Sequence, residues 1–171
     1  LPLLALATLL SAPATAQNTM NDMDTLNLSL EWDKTFPQSE RVSHTKVTFH
    51  NRYGIPLAAD LYKPKDAVGP LAAVAVCGPY GAVKEQVSGL YAQTLAERGF
   101  LTIAFDPSFY GESGGRPRYL TSPEISTDDF SAAVDYLSTR EDVDPQRIGI
   151  CGICGWGGFA LNAAANDPRI K

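Results

Sequence analysis

From residue 46 onward the spacing of hydrophobic and polar positions changes period several times, and each change marks an element. "KVTFH" leads through "NRYG" into "IPLAADLY", where Ile55, Leu57, Ala59 and Leu61 alternate. A period of two on either side of a turn containing Gly54 predicts a pair of strands. "KPKDAVGP" reads as a loop. "LAAVAV" (71–76) is an unbroken apolar run between Pro70 and "CGPYG", the pattern of a strand buried on both faces. Val83, Val87, Leu90, Tyr91 and Leu95 then recur at helical spacing, and Gly99 follows Arg98 as a stop. "FLTIAF" (100–105) predicts a second buried strand. After "YGESGG", Ser126 can cap a helix whose apolar stripe is Phe130, Ala133, Val134 and Leu137, with Asp128 and Asp129 in its first turn. "RIGIC" (147–151) predicts a third buried strand, and a last helix is expected over roughly 155–166.

A hairpin followed by strand–helix alternation predicts an α/β fold: parallel strands with right-handed crossovers and helices on both faces, a three-layer sandwich. The chain has no internal repeat and no low-complexity tract. Its last residues, "DPRIK", put Ile170 where another strand would start. A sheet stopping there would leave an apolar strand as its edge, so the sequence is expected to continue past Lys171.

The other end is polar and aperiodic. Residues 17–40 read as a linker or poorly ordered lead-in to a domain over 41–171. Ahead of them, "LPLLALATLL" is an apolar run too short to span a bilayer, and "SAPATAQ" sets Ala14 and Ala16 in an A-x-A cleavage pattern. Residues 1–16 are read as the remnant of a signal peptide, incomplete at its start. The protein is accordingly expected to be exported, periplasmic or secreted, from a bacterium.

Composition narrows the partners. A chain of 171 residues with 44% hydrophobic content suits one domain with its own core. A net charge of -5, without any Lys/Arg cluster, argues against nucleic acid or an anionic membrane surface as the main partner. The three cysteines, Cys77, Cys151 and Cys154, are too few and too closely grouped for a disulfide scaffold.

Two short segments compete to carry a nucleophile. "YGESGG" (110–115) holds a literal G-x-S-x-G in Gly111, Ser113 and Gly115, whereas "GICGWGG" (152–158) has Cys154 where that pattern has serine. A nucleophile elbow needs a tight turn directly after a strand and directly before a helix, with small residues around it. Ser113 lacks that context, since several loop residues precede it and "GRPRYLTSP" follows, so it reads as loop scaffold. Cys154 has the context: "RIGIC" precedes it, an Ala-rich helix follows, and Gly152, Gly155, Gly157 and Gly158 are placed to relieve crowding. A helix N-terminus there would favour a thiolate and set the Gly155 N–H for an oxyanion. Trp156 is the misfit, at a position where a small residue is usual.

Other readings of the segment stay open. "CGIC" is a C-x-x-C, as in thiol redox centres or half of a zinc site. Against these, "GWGG" starts a helix poorly, and no second pair or nearby His completes a metal site. The overlap with G-x-G-x-x-G lies outside the first strand–helix unit, where that fingerprint belongs. A simple buried cysteine is the plainest alternative, which the surrounding glycines disfavour.

Taken together, "CGPYGAVKEQVSGLYAQTLAERGFLTIAFDPSFYGESGGRPR", "AVDYLSTREDVDPQRIGICGICGWGGFALNAAANDPRIK" and the hairpin before them resemble the dienelactone-hydrolase-like branch of the α/β-hydrolases, over residues 42–171. The likeness is to a bacterial group of general hydrolases with fungal relatives in polyketide processing. The resemblance implies an antiparallel hairpin followed by parallel strands. It also implies Cys154 as elbow nucleophile, Gly155 and Tyr80 as backbone oxyanion donors, and Ser113 as scaffold. Two departures stand out: Gly78 where relatives often have His, and Trp156 where they have a small residue. In this fold an acid and then a histidine follow the nucleophile in chain order. The only acid after Cys154 is Asp167, and the two histidines, His44 and His50, lie in the first strand. The catalytic His, and with it the acid, are therefore expected beyond residue 171.

The leading expectation is an exported hydrolase cleaving an ester, lactone or thioester by acyl transfer through Cys154. It would act on a small-molecule acyl substrate, with no cofactor, no metal, no nucleic acid and no membrane contact after signal cleavage. A binding protein of the same fold without turnover, and a thiol redox protein using Cys151 and Cys154, are the alternatives.

Overall fold

The computed structural model describes residues 26–171; the signal-like run at 1–16 lies outside the described residues. Strands β1 (Val42–His50) and β2 (Pro56–Pro64) form the expected hairpin. They are followed by β3 (Leu71–Cys77), α1 (Val87–Ala96), β4 (Leu101–Phe105), α2 (Pro123–Ser138), β5 (Val143–Gly152) and α3 (Trp156–Asn166). The strands form one sheet in the order β1-β2-β4-β3-β5. The hairpin joins through an antiparallel β2–β4 pair, and β3 runs parallel to both β4 and β5. Ile170 makes a parallel bridge to Ile148, so the last residues lie beside β5 at the position where the pattern called for another strand.

The sheet is covered on both faces. On one, Leu57, Ile103, Phe105 and Cys77 pack with Phe130, Val134 and Leu137 of α2 and with Ala160 and Ala163 of α3. All four stripe residues predicted for α2 are fully buried. On the other face, Tyr62, Val76 and Ala104 meet Ala92 and Ala96 of α1 and Phe36 of the lead-in.

Three expectations need correction. Helix α2 starts at Pro123, not after Ser126, with Ser122 as its N-cap and Ser126 buried inside it. Proline at the first helical position has a suitable φ and no N–H to lose. Asp128 and Asp129 therefore sit past the first turn, where their carboxylates hold other segments. Helix α1 starts at Val87 and buries Ser88, Gly89, Ala92, Gln93 and Ala96, leaving Leu90 and Tyr91 exposed. The small residues face inward because the approach is close: a Cβ on Gly89 would stand 2.3 Å from the Lys84 carbonyl oxygen and 3.0 Å from the Phe36 ring.

The lead-in has no helix or strand over 26–40, yet residues 29–39 are docked. Phe36 is buried, the Thr35 N–H donates to the Glu85 carbonyl (3.0 Å), and the Ser39 N–H donates to Gln93 Oε1 (3.0 Å). Lys34 Nζ lies 3.1 Å from Asp60 Oδ2 with both side chains fully buried. His44 Nε2 holds the other Asp60 oxygen at 2.8 Å. Among the described residues no helix is long and apolar enough to cross a membrane.

Candidate active site

Strand β5 delivers the chain to a turn at Cys154. The Ile153 N–H still donates to the Cys77 carbonyl (2.9 Å), extending the pairing with β3 by one residue. Cys154 then adopts φ 57°, and α3 begins at Trp156. A left-handed backbone at a side-chain-bearing residue costs about 1–3 kcal/mol and persists only where the surroundings impose it. Here the hydrogen-bonded strand end and the start of α3 impose it, and the cysteine projects into solvent. This is the strand–turn–helix context that distinguishes an elbow from five matching letters.

The crowding is real at two of the four glycines. A Cβ on Gly152 would stand 2.3 Å from the Trp156 carbonyl oxygen, and one on Gly155 only 1.8 Å from Tyr80 Cε2. Gly157 meets nothing nearer than 3.5 Å, and Gly158 faces open space. Those two do not relieve crowding; they occupy the first turn of α3.

The loop after β3 closes over the elbow. Tyr80 lies against Gly155, and its ring meets Trp156 edge-to-face with centroids 4.6 Å apart. Gly78, at φ 98°, explains both departures together. A Cβ there would stand 2.5 Å from the Ile153 carbonyl oxygen and 2.8 Å from Trp156 Cβ. The indole at 156 and the absence of a side chain at 78 are one fitted pair. Trp156 is buried, and its Nε1 has no hydrogen-bond partner among the described residues. Among those residues, neither the Tyr80 nor the Gly155 amide N–H donates to any acceptor.

Ser113 has the opposite surroundings. It is buried, its Oγ donates to the Asp106 carbonyl (2.7 Å) and accepts from the Ala58 N–H (2.9 Å). The hydroxyl ties the end of β4 to β2. Its loop is bolted further by Asp106, whose carboxylate accepts from the Glu112 N–H (2.9 Å) and from Lys84 N–H and Nζ (2.8 Å each). Gly111, at φ 50°, passes so near that a Cβ would stand 2.1 Å from Asp106 Oδ2. Burial opposes the Lys84 charge, but Asp106, Glu112 and Glu85 outweigh it and hold the ammonium above its ordinary range.

The cysteines separate by environment. Burial pushes the Cys77 thiol well above its ordinary range, with Asp129 and Asp106 adding to the effect. Burial also raises Cys151, whose register partner on β3 is Val76. All three thiols are free.

The remaining triad candidates do not converge on Cys154. His44 and His50 lie on β1, at the far side of the sheet from β5. Four strand spacings are roughly 19 Å. Asp167 caps the other end of α3, an 11-residue helix roughly 16 Å long, and its carboxylate accepts from Arg169 Nε (2.9 Å) and Nη2 (2.6 Å). Among the described residues no group of three or more His, Cys, Asp or Glu could hold a metal ion. A polar groove of about 560 Å³ lies between α2 and α3, and an apolar one of about 470 Å³ beside β5 is lined by the elbow glycines Gly152 and Gly157.

Sequence reading missed the buried charges. Lys34, Asp60, Lys84 and Asp106 have fully buried side chains, and no local pattern marks a charged residue as interior. Spacing gave no signal for them.

Comparison with known proteins agrees with this fold. The model of the X-Pro dipeptidyl-peptidase (S15) family matches residues 53–171. An uncharacterised protein of Pseudomonas aeruginosa is 60% identical over 172 residues, which cover 99% of this chain and 46% of the relative. Its crystal structure superposes with a TM-score of 0.84 at 65% identity, covering 86% of this chain and 46% of that one. A thiohydrolase of Aspergillus aculeatus is 34% identical over 133 residues, 78% of this chain and 41% of the relative. In fold alone, a dienelactone hydrolase-like promiscuous phosphotriesterase from metagenomic libraries matches with a TM-score of 0.63 at 19% identity, covering 77% of this chain and 57% of that one. The chain thus spans about half the length of the curated relatives it matches. With a family match over most of its length and the strand order, hairpin and elbow described above, the chain belongs to the X-Pro dipeptidyl-peptidase (S15) family of the α/β-hydrolase superfamily.

Proposed function

We infer that the protein is an acyl-transfer hydrolase whose nucleophile is Cys154, acting on an ester, lactone or thioester. The observation that carries this reading is the left-handed, solvent-exposed Cys154 between β5 and α3. The thiolate attacks the substrate carbonyl, while the Gly155 and Tyr80 N–H groups take the oxyanion. Collapse of the tetrahedral intermediate expels the alkoxide or thiolate and leaves an acyl-cysteine, which water then cleaves. A histidine from outside the described residues is the base for both steps, because His44 and His50 are on the wrong side of the sheet. Thiohydrolase and dipeptidyl-peptidase, the names borne by a relative and by the matching family, both describe acyl transfer from a carbonyl, which supports the reaction class. Export is part of the proposal and rests on residues 1–16.

The test is a burst experiment with this chain and excess p-nitrophenyl acetate. The expected result is release of about one p-nitrophenolate per chain, because a thiolate can attack so activated an ester unaided, and then little turnover, because losing the base that activates water for deacylation costs on the order of 10⁴ in rate. Cys154→Ala should abolish the burst. A burst that survives in Cys154→Ala, or sustained turnover without any added base, contradicts the assignment.

A further inference from the structure

Tyr80 has a position that backbone oxyanion binding alone does not require. Its ring lies on the Gly155 backbone, next in chain to Cys154, so close that no side chain at 155 could coexist with it. Its inner side is held edge-to-face by Trp156 (4.6 Å, 88°) and by Phe159 (6.2 Å, 77°). Trp156 is itself fixed by Phe159 at 5.0 Å and Tyr110 at 6.2 Å. Yet half of Tyr80 remains exposed (50%). A large ring immobilised against a packed aromatic cluster, with one side left bare, loses little further entropy when a ligand packs on it.

Taking the Cys154 reading as its basis, we propose that the exposed side of Tyr80 is an acyl-recognition surface that selects substrates carrying a planar apolar group near the reacting carbonyl. The backbone amide and the ring belong to the same residue. A carbonyl oxygen seated on the Tyr80 N–H therefore brings the adjoining substituent within one side chain's reach of the ring. A methyl or other small acyl group would leave the surface bare, whereas a benzoyl-sized group covers it. Trp156 acts as the backing that sets the ring's angle, which gives the pairing of Trp156 with Gly78 a purpose beyond filling space.

The test uses this chain with methyl and benzyl methanethiosulfonate. Each transfers its thioalkyl group to a thiolate, forming a mixed disulfide and releasing methanesulfinate. The rate of Cys154 modification by each reagent is followed by mass spectrometry and divided by its rate with glutathione. The expected benzyl-to-methyl ratio exceeds the glutathione ratio by roughly tenfold, the upper range of an aromatic contact. Tyr80→Phe should keep that preference and Tyr80→Ala should lose it. A ratio equal to that of glutathione in the wild-type chain, or a preference unchanged in Tyr80→Ala, would overturn the proposal while leaving Cys154 as nucleophile. Modification of Cys77 or Cys151 in place of Cys154 would overturn the nucleophile reading itself, and this proposal with it.

Discussion

Replacing Lys34 by Met should destabilise the fold far more than any ordinary change in an irregular lead-in. Lys34 and Asp60 are both fully buried, 3.1 Å apart, and the lysine reaches Asp60 from a segment with no secondary structure. Burial opposes ionisation of Asp60, but His44 and Lys34 outweigh it and hold its carboxyl below the ordinary range. At an effective dielectric of about 20, the pair attraction at this distance is about 5 kcal/mol, against a desolvation penalty of similar size. Removing one partner of such a pair strands the other, which costs roughly 3–5 kcal/mol. The His44 contact at 2.8 Å persists in the variant, so the lower end, about 3 kcal/mol, is expected. Urea unfolding at pH 7.5 with linear extrapolation measures it. The double variant Lys34→Met/Asp60→Asn separates the causes: if a stranded charge is responsible, it should recover at least half of the loss. A loss below about 1 kcal/mol for Lys34→Met would refute the reasoning, as would a double variant less stable than the single one.

The remaining predictions concern other sites. Ser113→Ala should leave the acylation of Cys154 unchanged within a few-fold. It should still cost about 1–3 kcal/mol of stability, because the Ala58 N–H and the Asp106 carbonyl lose their partner; burst kinetics and urea melts read the two effects separately. Burial pushes Asp129 up to about 6 despite hydrogen bonds from Asn51 and Ser108. A folded value above the unfolded one gives stability that is present below pH 4 and lost as pH rises through about 6, on the order of 2–3 kcal/mol. Asp129→Asn should flatten that decline, and parallel pH profiles for the two proteins would contradict it. Limiting iodoacetamide at neutral pH should label Cys154 first, because Cys77 is buried and burial raises both of the other thiols. Peptide mapping that finds Cys77 or Cys151 labelled first would contradict this ordering.

Much of the fold could be read from periodicity, and the errors have physical causes. Strands β3 and β4 are short apolar runs bounded by Pro70, Gly78 and Gly99, so their ends are marked by residues the backbone requires. The α2 stripe was legible because Phe130, Val134 and Leu137 are large and face the sheet. In α1 Leu90 and Tyr91 point outward while Gly89, Ala92 and Ala96 face inward, because Phe36 and Lys84 occupy the space beneath, which no pattern within α1 could reveal. The start of α2 was recoverable from the Ser122–Pro123 pair, a cap followed by a residue suited to the first turn. At the site, the strand–turn–helix context of Cys154, and its lack at Ser113, could be read from the sequence alone. The dependence of Trp156 on Gly78 needed three-dimensional contact, since the two residues are far apart in sequence.

The central claim, that the elbow cysteine and not the G-x-S-x-G serine carries the acyl group, is tested most directly by locating that group. The chain is treated briefly with excess p-nitrophenyl acetate, quenched in acid, digested and mapped by mass spectrometry. The account predicts a single major acetyl adduct on Cys154, in the turn between β5 and α3, with Ser113 unmodified. Acetylation of Ser113 with Cys154 still free would move the nucleophile to the loop after β4 and contradict the account.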